Sequence, residues 1–200
     1  MNTEQPGFDF DKVRTAASTM WNKDLSKVQV EGGTKDEKTI FYTGMYHLLI
    51  HPNILQDVNG EYPMMESLKV GHTTGNRYTV FSLWDTYRNV STLMTLLYPE
   101  RQLDIIRTML DMYRENGWLP KWELYGRETF TMEGDPSIPY IVDAWMRGLR
   151  DFDEQTAYEA MRKGATTPGE FNLLRPDAND YFSKGYVPLR EQYDNSVSHA

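Results

Sequence analysis

The stretch from Thr79 to Tyr98 constrains the fold most, because read as one helix it is apolar on nearly every side. Val80, Leu83, Tyr87, Val90, Met94 and Leu97 recur at helical spacing and form one stripe. Asp85 falls on the opposite side of the wheel, yet Phe81 and Leu96 flank it there. A helix apolar on two faces is packed on both. The next expected helix differs. Pro99 suits its first turn and Gly117 its end. Leu103, Ile106, Leu110 and Tyr113 make a single stripe, and Arg101, Asp104, Arg107, Asp111 and Arg114 fill the other face, so this helix is expected to be half exposed. A doubly covered helix followed by a one-sided one predicts inner and outer rings of helices.

The rest of the chain also reads as helix after helix. A first helix is expected over about residues 9–28, until Val30-Glu31-Gly32-Gly33 breaks the pattern. Thr34 with Glu37 three residues later has the form of a capping box, opening a helix to about His51, with Pro52 just beyond. Residues 53–76 read as a loop too long to be a mere connector. Ile138 to Leu149 is mostly apolar, and Asp153 to Lys163 is amphipathic and closed by Gly164. Residues 193–200 resemble an N-cap and the start of a helix. Strand signals are weak, and no fixed-period repeat is present. The fold class expected is all-α, built of paired helices, with functional residues on loops and helix ends.

Composition removes several classes of function. Two hundred residues suffice for one domain with a real core. A formal charge of −8, without a basic stripe, disfavours nucleic acid or an anionic membrane as partner. Cysteine is absent, so disulfides and thiolate metal sites are excluded. No run of 18 apolar residues is long enough to span a membrane, and the opening MNTEQPGFDF lacks the pattern of a secretion leader.

Five Trp, thirteen Tyr and eight Phe argue against disorder, and two segments set aromatics beside acids: Tyr78–Arg88, with Trp84-Asp85, and Gly117–Thr129, with Trp118, Trp122, Glu123, Tyr125 and Glu128. Such pairs suit a sugar: rings cover its apolar C–H face and carboxylates accept hydrogen bonds from its hydroxyls. An ordinary reading stands beside this one. Trp84 would be core, Asp85 would cap a neighbouring helix or pair with Arg88, and the second segment would pack its aromatics over the core. Asp85 with Glu123 or Glu128 also has the residue types of a glycosidase carboxylate pair. His47 and His51, at i and i+4, have a spacing that can hold zinc, but no glutamate of an HExxH motif lies between them. A packed His47 and a helix-end His51 fit better. Asp57, Asn59 and Glu61 alternate like calcium ligands but lack the remaining positions of an EF-hand, so a polar turn is expected. No metal site is expected within these residues.

Taken in order, the segments FDFDKVR, WNKDLSKVQVEGGT, KTIFYTGMYHLLIHPN, DVNGEYPMM, FSLWDTYR, LLYPER, MYRENGWLPKWELYGRET, IPYIVDAWMRGLRDFD and KGYVP resemble the glycoside hydrolase family 92 α-mannosidases over nearly the whole chain. The resemblance implies an N-terminal β-sandwich followed by a catalytic (α/α)6 barrel. Residues 1–200 would be part of that barrel, with 1–34 resembling the connecting region and the remainder of the catalytic domain as a partner. It implies calcium-dependent, exo-acting, inverting hydrolysis of terminal α-mannosides, with a mannose-containing glycan as partner. Trp84-Asp85 matches the family's mannose-binding WD pair. Glu128 matches the Glu of its GNET-like segment and is a candidate active-site acid, although Arg127 stands where Asn is usual. Trp118 and Trp122 would line or support the sugar pocket. The general acid, the bases and the calcium ligands are expected beyond Ala200. A periplasmic or secreted location is expected for the full-length protein, and inactivity for this piece alone. The alternative is a non-catalytic carbohydrate-binding helical domain.

Overall fold

The computed structural model describes Gly7 and residues 9–188, so the expected helix start at 193–200 lies outside the described residues. Two compact units divide after His51. In the first, α1 (Phe10–Leu25) begins where the Asp9 carboxylate accepts the Lys12 N–H at 3.0 Å. Gly32 and Gly33 turn the chain with φ of 73° and 65°, left-handed values that favour glycine. Next comes α2 (Lys35–Leu48), opened by the expected capping box. The Glu37 N–H donates to Thr34 Oγ1 at 3.2 Å, and the Thr34 N–H donates to Glu37 Oε2 at 2.6 Å. Trp21 of α1 and Tyr46 of α2 pack with ring centroids 4.6 Å apart.

The second unit contains β1 (Asn53–Ile54), β2 (Glu61–Pro63), β3 (Val70–His72), β4 (Tyr78–Thr79), α3 (Leu83–Thr86), α4 (Val90–Leu97), α5 (Pro99–Asn116), β5 (Glu123–Leu124), β6 (Arg127–Glu128), α6 (Ser137–Met146), α7 (Glu154–Thr166) and α8 (Ala178–Lys184). The strands form three two-stranded antiparallel ladders, β1 with β4, β2 with β3, and β5 with β6. The protein is thus mainly helical rather than all-α. The 53–76 segment is held by ladders, although little in its sequence alternates with a strand period.

The core is built around α5, which α4, α6 and α7 contact. Ile105, Ile106, Met109, Leu110 and Met112 are fully buried, each contributing roughly 1.5–3 kcal/mol by leaving water. The half-exposed reading of α5 is therefore corrected. The polar Gln102 and Thr108 are buried too, because both are hydrogen-bonded: Gln102 donates to Ser91 Oγ at 3.0 Å and accepts the Tyr140 hydroxyl at 2.9 Å, and Thr108 accepts the Tyr78 N–H at 3.2 Å. Only the charged edge faces outward, where Arg107 bridges Asp104 and Asp151, and Arg114 bridges Asp111 and Asp153.

The expected helix from Thr79 to Tyr98 is also corrected, since the stretch is a strand end and two separate helices, α3 and α4. Val80 stands at φ 66°, unusual for a β-branched residue. Tertiary hydrogen bonds impose it: the Val80 N–H donates to the Glu123 carboxylate at 3.0 Å and the Phe81 N–H to the Glu123 carbonyl at 2.9 Å. Leu96, expected beside Asp85 on a covered face, is 73% exposed. Gly164 does not close α7 but lies within it, where an added Cβ would stand 2.8 Å from Asp135 Oδ2.

Candidate functional site

The β5–β6 hairpin turns through Tyr125 and Gly126, at φ 51° and 85°. Two successive left-handed residues make the tight turn that matches strand twist. Glu123 locks this hairpin from inside and is completely buried. Its carboxylate accepts the Thr79 hydroxyl at 2.9 Å, the Val80 N–H at 3.0 Å and the Gly126 N–H at 2.6 Å. Burial pushes its pKa up, and the hydrogen bonds from Gly126, Thr79 and Val80 pull it back. With its lone pairs committed to the fold, Glu123 is a structural residue rather than one of a reacting pair.

Glu128 is similarly engaged. Its carboxylate accepts the N–H groups of Lys121 at 2.7 Å, Trp122 at 2.9 Å and Phe130 at 2.9 Å. Burial raises its pKa against these three amides and that of Thr129. Its own N–H donates to Glu66 Oε1 at 2.7 Å, and the Glu66 N–H donates to the Gly126 carbonyl at 2.8 Å. The segment 120–130 is therefore wrapped around the Glu128 side chain and tied on its other side to Glu66.

Trp84 and Asp85 occupy α3, directly after the segment that Glu123 pins. Asp85 is exposed and takes no part in an ion pair with Arg88; its carboxylate accepts the Ser82 hydroxyl. The Arg88 guanidinium instead lies 4.8 Å from the ring centroids of both Trp84 and Tyr87. Trp84 is half-buried, with one face given to this cation. Of Asp85, Glu123 and Glu128, Asp85 is the one that is exposed to solvent.

The other two tryptophans differ. Trp122 belongs to the Glu128-wrapped loop, and its buried indole Nε1 has no hydrogen-bond acceptor among the described residues. Trp118 faces α7, where Lys163 Nζ stands 4.5 Å from its ring and donates to the Gly117 carbonyl at 2.7 Å. The bonds of Glu123 bring the Trp84-Asp85 segment and the Trp122–Glu128 loop together, whereas Trp118 is tied to the α5–α7 packing.

Beneath the site lies a network that sequence reading missed. Arg77, 1% exposed, makes a bidentate pair with Glu115 at 3.1 and 2.9 Å. Glu115 also accepts the Tyr62 hydroxyl at 3.0 Å and the Met65 N–H at 2.7 Å. Tyr62 packs under the guanidinium at 4.5 Å, and its own pKa is pushed up to about 12 by burial and by Glu115. This holds the residues next to Glu66, and through Glu66 the hairpin. No local pattern signals it, because Arg77 and Glu115 lie far apart in the chain and look like surface charges.

The described histidines form no metal-ligating group. His47, expected to be packed, is exposed beside the Tyr46 ring on α2. His51 follows the end of α2, His72 is exposed on β3, and His199 is outside the described residues. Residues 57–61 form a turn closed by the Gly60 N–H on the Asp57 carbonyl at 2.9 Å. Among the described residues no group of three or more His, Asp or Glu side chains converges as metal ligands.

A half-buried Trp84 and an exposed Asp85 thus stand next to a second aromatic and acidic loop. The model of the glycosyl hydrolase family 92 catalytic domain matches residues 1–200, and the chain belongs to that family. It is 29% identical over 199 residues to an uncharacterized secreted glycosidase of Arthroderma benhamiae, covering 96% of this chain and 21% of that protein. A family GH92 α-mannosidase of Bacteroides thetaiotaomicron, also solved in complex with mannoimidazole, superposes with a TM-score of 0.84 at 34% identity over 93% of this chain and 25% of its own. A GH92 inverting mannosidase of the same bacterium gives 0.86 at 31% identity, over 96% and 26%. The chain thus spans 21–26% of the length of these relatives.

Proposed function

We propose that the protein carrying this chain is an exo-acting, inverting α-mannosidase that removes terminal mannose from glycans. The observation that carries the reading is the family match across all 200 residues, supported by solved relatives named as mannosidases and by the mannoimidazole complex of one of them. Residues 1–200 form part of a catalytic (α/α)6 toroid, with 1–34 as the connecting region and the remainder of the catalytic domain as partner. Asp85 accepts hydrogen bonds from sugar hydroxyls, and Trp84 and Trp122 border the sugar. Trp118 supports the loop from the α7 side. Glu128 shapes the 120–130 loop through its three amide bonds, which leaves it little capacity to give up a proton to substrate.

Calcium enters this reading through the family resemblance alone, and no role assigned here passes through it. A secreted or periplasmic location agrees with the name of the fungal relative. Within the described residues no helix is long and apolar enough to cross a membrane.

The test is hydrolysis of an α-mannobioside by the full-length protein, followed by proton NMR of the newly released sugar. First appearance of β-mannose supports an inverting exo-mannosidase. First appearance of α-mannose contradicts inversion, and absence of turnover contradicts the activity.

A further inference from the structure

A cavity of about 340 Å³ lies between the 121 and 134–135 segments and α8, within the size range of small-ligand sites. Lys121, Asp135, Leu174, Arg175, Tyr181 and Phe182 line it. The Asp135 side chain is 1% exposed, and neither carboxylate oxygen accepts a hydrogen bond from a described residue. Arg175 approaches only to 3.6 Å. Lys121 is 3% exposed, and its Nζ reaches the Leu174 carbonyl at 3.4 Å. A desolvated carboxylate without hydrogen bonds is costly, and a folded protein retains one where something supplies donors.

The charge pattern selects the ligand. An anion would meet the two bare oxygens of Asp135. A divalent cation would meet Lys121 and Arg175. A hydroxyl group both donates and accepts, so a neutral polyol satisfies carboxylate, ammonium and guanidinium at once. The half-exposed rings of Tyr181 and Phe182 supply surface for apolar C–H groups. We propose that this cavity is a binding site for a neutral hexose, separate in its residues from the Trp84–Asp85 face.

Burial raises the Asp135 pKa while Arg175 and Lys121 lower it, and burial lowers that of Lys121, as expected for charges awaiting polar partners. The backbone N–H of Lys121 donates to Glu128, so the cavity shares a segment with the wrapped loop. The inference rests on the mannosidase reading only for mannose as the favoured hexose.

The experiment is calorimetric titration of the full-length protein with D-mannose, D-glucose and D-galactose in an Asp85→Asn background, which weakens the other face. At least one hexose is expected to bind. Arg175→Gln or Tyr181→Ala, at partly exposed positions that leave the fold intact, should weaken it by about tenfold or more, and Asp135→Asn likewise. No binding of any of the three hexoses overturns the proposal. So does binding indifferent to Arg175→Gln and Tyr181→Ala at unchanged thermal midpoint. Cavity-dependent binding in a protein without α-mannoside turnover would sink the mannosidase reading and support the cavity, while turnover without cavity binding would do the reverse.

Discussion

The α3 segment and the β5–β6 hairpin look alike as sequence, each an aromatic beside an acid, but they use their carboxylates in opposite ways. Glu123 and Glu128 accept hydrogen bonds from six different backbone or hydroxyl donors between them and hold the loop in shape. Asp85 accepts one hydroxyl from its own turn and is otherwise turned to water. An acid already claimed by amides is a strut, and an acid left to solvent on a rigid strut is available to a ligand. The two roles are coupled, because Glu123 sets the left-handed Val80 that ends β4 and aims α3.

This contrast breaks most readily at its foundation. Arg77→Ala leaves the Glu115 carboxylate buried without its counter-charge, and should cost about 3–5 kcal/mol in urea unfolding. A loss below 1 kcal/mol would mean that the Arg77–Glu115 pair is not what supports the hairpin. Glu123→Gln comes next. Its amide group must face either the Val80 or the Gly126 N–H, and the expected loss is roughly 2–3 kcal/mol. Activity should fall with it as α3 loses its aim, and stability equal to wild type would contradict the strut assignment. Glu128→Gln keeps one oxygen and turns its amide toward a donor, most easily the single Lys121 N–H. A smaller loss of about 1–2 kcal/mol is expected by the same measurement.

Titration sharpens the comparison further. Burial raises the folded-state pKa of Asp135 above its ordinary value of about 3.9. Between those two values the native state binds more protons than the unfolded chain, so stability falls as pH rises through that window. Unfolding midpoints from acid to neutral pH should therefore decline in the wild type relative to Asp135→Asn. Parallel curves would mean that the carboxyl group is not desolvated.

Much of the helical framework was legible. The Thr34 capping box, Pro99 at the start of α5 and Gly117 past its end are local signals, and all are observed. What failed was the inference from apolar period to a continuous helix. The stripe from Val80 to Leu97 is real as hydrophobicity, but one distant residue, Glu123, outbids the helix for the N–H groups of Val80 and Phe81. The half-exposed reading of α5 failed in the opposite direction: Gln102 and Thr108 are polar yet buried, because their hydrogen-bond partners lie in other elements. The two aromatic and acidic segments are visible in the sequence as runs of neighbouring residues. In the division of labour among their acids, the role of Glu123 depends on hydrogen bonds from Thr79 and Val80, more than forty positions away, and that of Glu128 on the amides of Lys121, Trp122 and Phe130, which no residue pattern announces.

Asp85→Asn in the full-length protein is the most direct test of that division. Its effect on stability should stay within about 0.5 kcal/mol, as for an exposed surface position. Loss of charged hydrogen bonds to sugar hydroxyls should lower kcat/KM on an α-mannobioside by roughly 10- to 150-fold. Wild-type kcat/KM in a folded Asp85→Asn protein would contradict the account, as would unfolding caused by this substitution.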